Sequence, residues 1–169
     1  MSETMEQSKH VVHADDVPAR DIGRGSFGAR PKWLAWAAGN RALGCTLYEL
    51  PAGKKSFPYH WHTANEEGLY LLEGECTLRL AGKEIPLRAG HYVAFPTGEE
   101  GAHQLINSSG TVCRYLCFST MQDPEVVIYP DSGKIGVSNR GKENVDRTKF
   151  RLRKILAGQP ELDYFQGEE

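Results

Sequence analysis

At 169 residues the chain fits one domain of ordinary size with extensions at both ends, long enough to bury a real core. Acidic and basic residues nearly balance at a formal charge of −2, which gives no global field pointing to nucleic acid or to a membrane surface as partner. The opening MSETMEQSKHVVHADD has no apolar segment of the signal-peptide kind, and no apolar run approaches the roughly 18 residues of a membrane span, so a cytoplasmic protein is expected. Cys45, Cys76, Cys113 and Cys117 form no CxxC pair and read as reduced thiols of the core.

The first stretch is polar, carries His10 and His13, and reads as a mobile tail. Gly23, Gly25 and Gly28 in DIGRGSFGARP spell GxGxxG, but Arg20 and Asp21 precede it and Pro31 follows closely. A dinucleotide fingerprint needs a strand before and a helix after, so this is read as a glycine-rich loop. Trp33, Leu34 and Trp36 are expected to cover one sheet. From Leu43 the run LGCTLYELPAG alternates as a strand, ended by Pro51 and Gly53.

The next stretch, GKKSFPYHWHTANEEGLYLLEG, holds the dense cluster of metal-capable side chains. On a strand, residues two apart project to the same side, so His60 and His62 can reach one ion while Trp61 points away. Glu67 follows at the head of a second apolar strand, close enough to complete a third corner; Glu66 competes for that role. A β-meander comes next, with strands through Cys76 to Leu80 and Glu84 to Leu87, and Tyr92 to Phe95 continuing the sheet. Pro96 and Gly98 then mark a turn, and His103 heads another short apolar segment as a fourth available ligand. His91 reads as an exposed residue at a strand start. Three imidazoles and a carboxylate suit Zn, Fe, Mn, Ni or Cu rather than Ca or Mg, which prefer oxygen shells.

In TVCRYLCFST, Cys113, Tyr115 and Cys117 share one face and Arg114, Leu116 and Phe118 the other. If the cysteine row faces inward, Tyr115 is a candidate substrate contact. Val126 to Tyr129 form a short strand, followed by a turn-rich stretch that folds back. Between Ser138 and Lys154 seven basic residues stand against two acidic ones, and RTKFRLRKIL reads as a charged edge strand. The acidic end, ELDYFQGEE, is expected to dock through Tyr164 and Phe165 on the basic stretch of its own chain or of a neighbour's. Short strands separated by glycine turns argue for an all-β sandwich or barrel.

At its histidines the chain resembles a cupin. That family carries a first motif G-x5-H-x-H-x3or4-E-x6-G and a second G-x5-P-x-G-x2-H-x3-N. Here these read Gly53, His60, His62, Glu67, Gly74 and Gly90, Pro96, Gly98, His103, Asn107. One extra residue precedes His60 and two precede His103, both in turns, where insertions are tolerated. Of the two glutamates, Glu67 alone leaves six residues before Gly74. The resemblance, which covers roughly residues 40 to 120, implies a cupin-type jelly-roll β-barrel, expected over 40–137, with extensions over 1–39 and 138–169. It also implies one divalent transition metal ion inside the barrel. By the two-residue period Leu69 and Leu71 share the face of Glu67, and Leu105 that of His103, so these three with Tyr115 are the expected pocket wall. Cupins include dioxygenases, sugar isomerases and epimerases, decarboxylases, storage proteins and ligand-binding regulators. The expectation is an oxygenase-like or isomerase-like enzyme acting on a small oxygenated molecule. The alternative is a metal-containing binding protein without turnover. Cupin barrels commonly pair through a sheet edge, so a homodimer is expected.

Overall fold

The computed structural model describes residues 8–141 and 149–168. Its centre is a barrel of two facing antiparallel sheets. The first is built on β3 (Gly44–Leu50), β10 (Cys113–Ser119), β5 (Glu67–Glu73) and β8 (Tyr92–Phe95), side by side in that order. The second combines two groups of strands. One is β7 (Lys83–Arg88), β6 (Glu75–Leu80) and β9 (His103–Ile106); the other is β4 (Trp61–His62), β11 (Glu125–Tyr129) and β12 (Lys134–Asn139), with β13 (Leu152–Ala157) outermost. A bridge between His60 and His103 joins the two groups. This is the jelly-roll architecture that the resemblance implies, within the all-β sandwich or barrel that the alternating strands predict.

Period-2 alternation decides which residues face inward. Along β5, Glu67, Leu69 and Leu71 point into the barrel while Tyr70 and Leu72 stay exposed. On β10 the cysteine row is the inner one: Cys113 and Tyr115 join Leu50, Leu69, Leu71, Leu78 and Leu105 in one buried cluster, and Cys117 packs against it. Full burial of each such leucine is worth about 1.5–3 kcal/mol, enough to fix the register, since a slip of one residue would turn the whole set outward.

The flanks extend these sheets. β1 (Ile22–Arg24) and β2 (Phe27–Lys32) form a hairpin on the edge of the first sheet, β2 pairing with β3. This corrects the reading of that stretch as a loop. Arg24 faces Phe27 across a two-residue Gly25-Ser26 turn, with Gly25 at φ 60° as such turns require. The glycines that open the turn also hide the strand alternation. A single helical turn, α1 (Leu34–Ala37), lies against β3, with the Trp33 and Trp36 rings edge to face at 6.5 Å. The amino-terminal stretch is no mobile tail from residue 8 onward: His10 Nδ1 donates to Ala38 O at 3.0 Å, and Val17 is buried.

At the other end β13 pairs with β12 as the expected charged edge strand, although Lys142, Glu143, Asp146 and Arg147 of the basic run lie outside the described residues. β12 is an addition to the elements expected from sequence, because the turn residues before it mask the short KIGVSN run. Tyr164 and Phe165 are 87% and 63% exposed, so of the two expected docking places, its own chain and a neighbour's, the acidic end does not take the first. Among the described residues no helix is long and apolar enough to cross a membrane.

Candidate metal centre

The two sheets bring four donors together from separate elements. His60 immediately precedes β4, His62 ends it, Glu67 opens β5 on the facing sheet, and His103 opens β9. His60 and His103 lie opposite each other and exchange both backbone bonds: His103 N donates to His60 O at 2.9 Å and His60 N to His103 O at 3.3 Å. Directly opposed residues project to the same side, and the two imidazoles accordingly lie 4.6 Å apart between ring centroids.

Each of these two imidazoles is aimed by its second nitrogen. His60 Nδ1 donates to Pro58 O at 2.7 Å and His103 Nδ1 to Gly101 O at 2.8 Å, which leaves both Nε2 atoms as lone-pair donors. Glu67 Oε2 stands 3.4 Å from His62 Nε2 and 3.5 Å from His103 Nε2. The ligand atoms of His60, His62 and Glu67 all lie within 4.8 Å of one another. His103 falls outside that tightest group yet shares the same carboxylate oxygen. Phe95 stacks on the His103 ring at 3.8 Å and Tyr129 on His60 at 5.9 Å, so packing as well as hydrogen bonding holds the rings. Glu66, the competing carboxylate, is exposed and sits on the other side of the chain from Glu67.

The electrostatics are those of a cation site. Burial holds the His60 imidazole neutral, with a pKa of about 3, helped by the neighbouring His103 and His62. Burial likewise lowers His103. For His62 burial acts in the same direction but is outweighed by Glu125 and Glu67 on either side, which raise its pKa to about 9. Burial alone would raise Glu67; the three surrounding imidazoles, His62 foremost, bring it below the usual carboxylate range instead. Both nitrogens of His62 are buried without a well-formed hydrogen bond. Buried polar atoms left this way are rare and costly, and a divalent cation at Nε2, displacing the proton, would satisfy the set. The donors therefore fit a metal of the nitrogen-and-oxygen type.

Beside the donors lies a small cavity of about 60 Å3. Leu69, Leu105 and Tyr115 line it, as do Tyr48 and Cys117. Leu71 is fully buried in the core and does not reach the cavity wall. Tyr48 and Tyr115 stack at 5.2 Å, and burial pushes both the Tyr115 hydroxyl and the Cys117 thiol upward in pKa, so both stay protonated at neutral pH. His91 is exposed and its Nδ1 accepts from Arg88 N at 2.9 Å, away from the site.

Sequence reasoning missed Glu125. Its carboxylate is buried beside His62, with Oε2 3.6 Å from Nδ1. No spacing links it to the histidines; the available signal is an acidic residue heading the apolar strand Val126 to Tyr129.

Comparison with known proteins agrees with this architecture. A search of curated proteins finds no match. Among solved structures, a protein of Acidithiobacillus ferrooxidans provisionally named a sugar phosphate isomerase is 24% identical, with TM-score 0.77, over 91% of this chain and 96% of its own. A sugar phosphate isomerase from a cupin superfamily of Silicibacter pomeroyi is 23% identical, with TM-score 0.73, over 90% of this chain and 96% of its own. A polyketide cyclase of Streptomyces resistomycificus is 26% identical, with TM-score 0.55, over 68% of this chain and 82% of its own. The first two matches extend through the flanking strands, and at such identities they speak for the fold. The model of the family described as the cupin domain matches residues 46–119, the span from β3 through β10 that carries all four donors. Over residues 46–119 the chain carries a cupin domain.

Proposed function

We propose that the chain is a metal-dependent enzyme acting on a small oxygen-bearing molecule, with His60, His62, Glu67 and His103 holding one divalent transition metal ion. The observation that carries this reading is the convergence of four donors, His103 buried and the other three half-buried, two of them with Nδ1 already committed to backbone carbonyls. When bound, the ion supplies a Lewis acid for a carbonyl or hydroxyl oxygen. The chain's own contribution is to exclude water with the apolar wall of Leu69 and Leu105 and to place the Tyr115 hydroxyl as a neutral hydrogen-bond donor at the substrate. A cavity of about 60 Å3 holds roughly two waters' worth of volume. Only the reacting end of a substrate enters it, and the remainder extends toward the surface. Isomerisation of a hydroxy-carbonyl compound is the reaction class to test first, because two structures that match almost the whole chain carry the name sugar phosphate isomerase, one of them provisionally; oxygenation is the next.

A second reading, a binding module without turnover, is favoured by one observation. Beyond the four donors the titratable groups lining the cavity are Tyr48, Tyr115 and Cys117, none of them a carboxylate or imidazole free to act as general base.

The test is elemental analysis of protein purified without chelators, alongside His103→Ala. About one metal per chain, lost in the variant, is the expected result, followed by aldose–ketose interconversion and oxygen-uptake assays. Undiminished metal in the variant would show the ligand assignment to be wrong. A loaded protein inert in both assays would favour the binding module.

A further inference from the structure

Glu125 opens β11, which pairs directly with β4 so that Val127 faces His62. Its carboxylate is almost wholly buried, a costly placement for a charge unless every lone pair is engaged. The surrounding chain supplies the partners. Oε1 accepts from Thr63 N at 3.2 Å, Thr63 Oγ1 at 3.4 Å and Ala64 N at 3.3 Å. Oε2 accepts from Asn65 N at 3.0 Å and from Asn65 Nδ2, and faces His62 Nδ1 at 3.6 Å. Those donors are the consecutive residues 63 to 65, the loop that runs from His62 to the Glu67 strand. Asn65 carries the linkage further: its Oδ1 accepts from Gln122 N and from Thr120 Oγ1, and its Nδ2 donates to Gln122 O. One buried carboxylate thus touches one ligand and grips the loop leading to the next.

We propose that Glu125 is a positioning residue of the metal centre: its carboxylate accepts from the Nδ1–H of His62, so that Nε2 is presented to the ion, and it fixes the loop that sets the distance between His62 and Glu67. This role rests on the metal-binding reading above. His60 and His103 obtain the same orientation from the carbonyls of Pro58 and Gly101, whereas among the described residues His62 has no carbonyl partner and faces a carboxylate. A carboxylate also makes the imidazole it faces a stronger donor, which a carbonyl does less well.

The experiment is cobalt titration of wild type, Glu125→Gln and Asn65→Ala, followed by the visible absorption of the bound ion and by unfolding in urea. Glutamine keeps the shape and an acceptor for the loop but removes the charge facing His62. Glu125→Gln is expected to lose about 10–100-fold in cobalt affinity and to shift the absorption bands, and Asn65→Ala, which loosens the loop between His62 and Glu67 without touching His62, is expected to lower the affinity by less. Glu125→Gln within threefold of wild type, with unchanged bands, overturns the proposal. Long-range proton–nitrogen NMR of the zinc-loaded wild type tests the same role independently should the variant fail to fold. His62 is expected to be protonated at Nδ1 and metal-bound at Nε2, and the opposite tautomer overturns the proposal. Wild type that takes up neither metal would instead remove the metal centre itself, an outcome distinguishable from a failure of Glu125 alone.

Discussion

Asn107 ends the second cupin motif without being a metal ligand, and its surroundings explain its place there. The side chain is fully buried and uses all of its polar capacity. Nδ2 donates to Leu50 O and Thr111 O, both at 2.8 Å, and Oδ1 accepts from Ser109 N at 3.0 Å and Ser109 Oγ at 2.7 Å. Its backbone is tied to the start of the first motif, since Gly53 N donates to Asn107 O and Asn107 N to Lys54 O, both at 2.8 Å. The outer ends of the two motifs therefore lock one another, and the histidines between them inherit that register. Asn107→Ala should remove four hydrogen bonds from a fully buried position and cost roughly 1–3 kcal/mol. It should lower the urea midpoint while the folded variant still binds metal at the wild-type ratio; an unchanged midpoint would show the carboxamide to be dispensable. The four donors were legible at this scale because their spacing is local: two residues apart on one strand, or at the head of an apolar run. Glu125 was not, because its nearness to His62 arises only from pairing of β11 with β4, a contact across some sixty residues that no short pattern encodes.

At the scale of elements the informative piece is the β8–β9 connection, where this chain is two residues longer than the motif it resembles. The added length forms a 3-10 turn, Glu99–Gly101, and the turn delivers the carbonyl that orients His103. Gly98, at φ 91°, reaches back and donates to His62 O at 2.9 Å, so this one connection touches two of the four donor residues. Gly101 packs its Cα against the Pro96 peptide so closely that a Cβ would collide with the Pro96 carbonyl oxygen and lie 2.9 Å from its carbon. Neither backbone group can yield without moving the turn. Gly101→Ala should therefore displace the Gly101 carbonyl from His103 and weaken zinc binding by about 10–100-fold, with a stability loss of about 1–3 kcal/mol. Zinc titration of the folded variant checks this; wild-type affinity would mean that the turn is not what aims His103. The alternation of β5 was readable for the physical reason that Leu69 and Leu71 on one face are buried while Tyr70 and Leu72 on the other are exposed. The β1–β2 hairpin was unreadable for the converse reason: Gly23, Gly25 and Gly28 have no side chain to sort between faces.

For the whole molecule, assembly turns on β13. It is the outermost strand of its sheet, and all six of its residues are exposed, Ile155 and Leu156 at 52% and 47%. Exposed edges of this kind are normally covered, and contiguous apolar surface marks a contact site. The segment that follows is suited to cover it: Leu162, Tyr164 and Phe165 are apolar and exposed, and Glu161, Asp163 and Glu168 oppose the charges of Arg151, Arg153 and Lys154. Yet in this chain no ion pair among the described residues joins the two, and Tyr164 and Phe165 stay exposed rather than packing on the strand. Complementary segments that do not meet within one chain can meet between two, which is the reason to expect a homodimer closed by exchange of these ends across a two-fold axis. Light scattering at tens of micromolar should give the mass of two chains. Truncation after residue 158 should give the mass of one chain with its metal retained, because the donors lie inside the barrel and do not depend on the edge. Arg153→Glu combined with Lys154→Glu should weaken association, and high salt should narrow the gap between this variant and wild type, as screening removes the attraction the substitutions reverse. A wild-type mass of one chain would eliminate the dimer, and a truncated chain that still dimerises would move the interface away from β13.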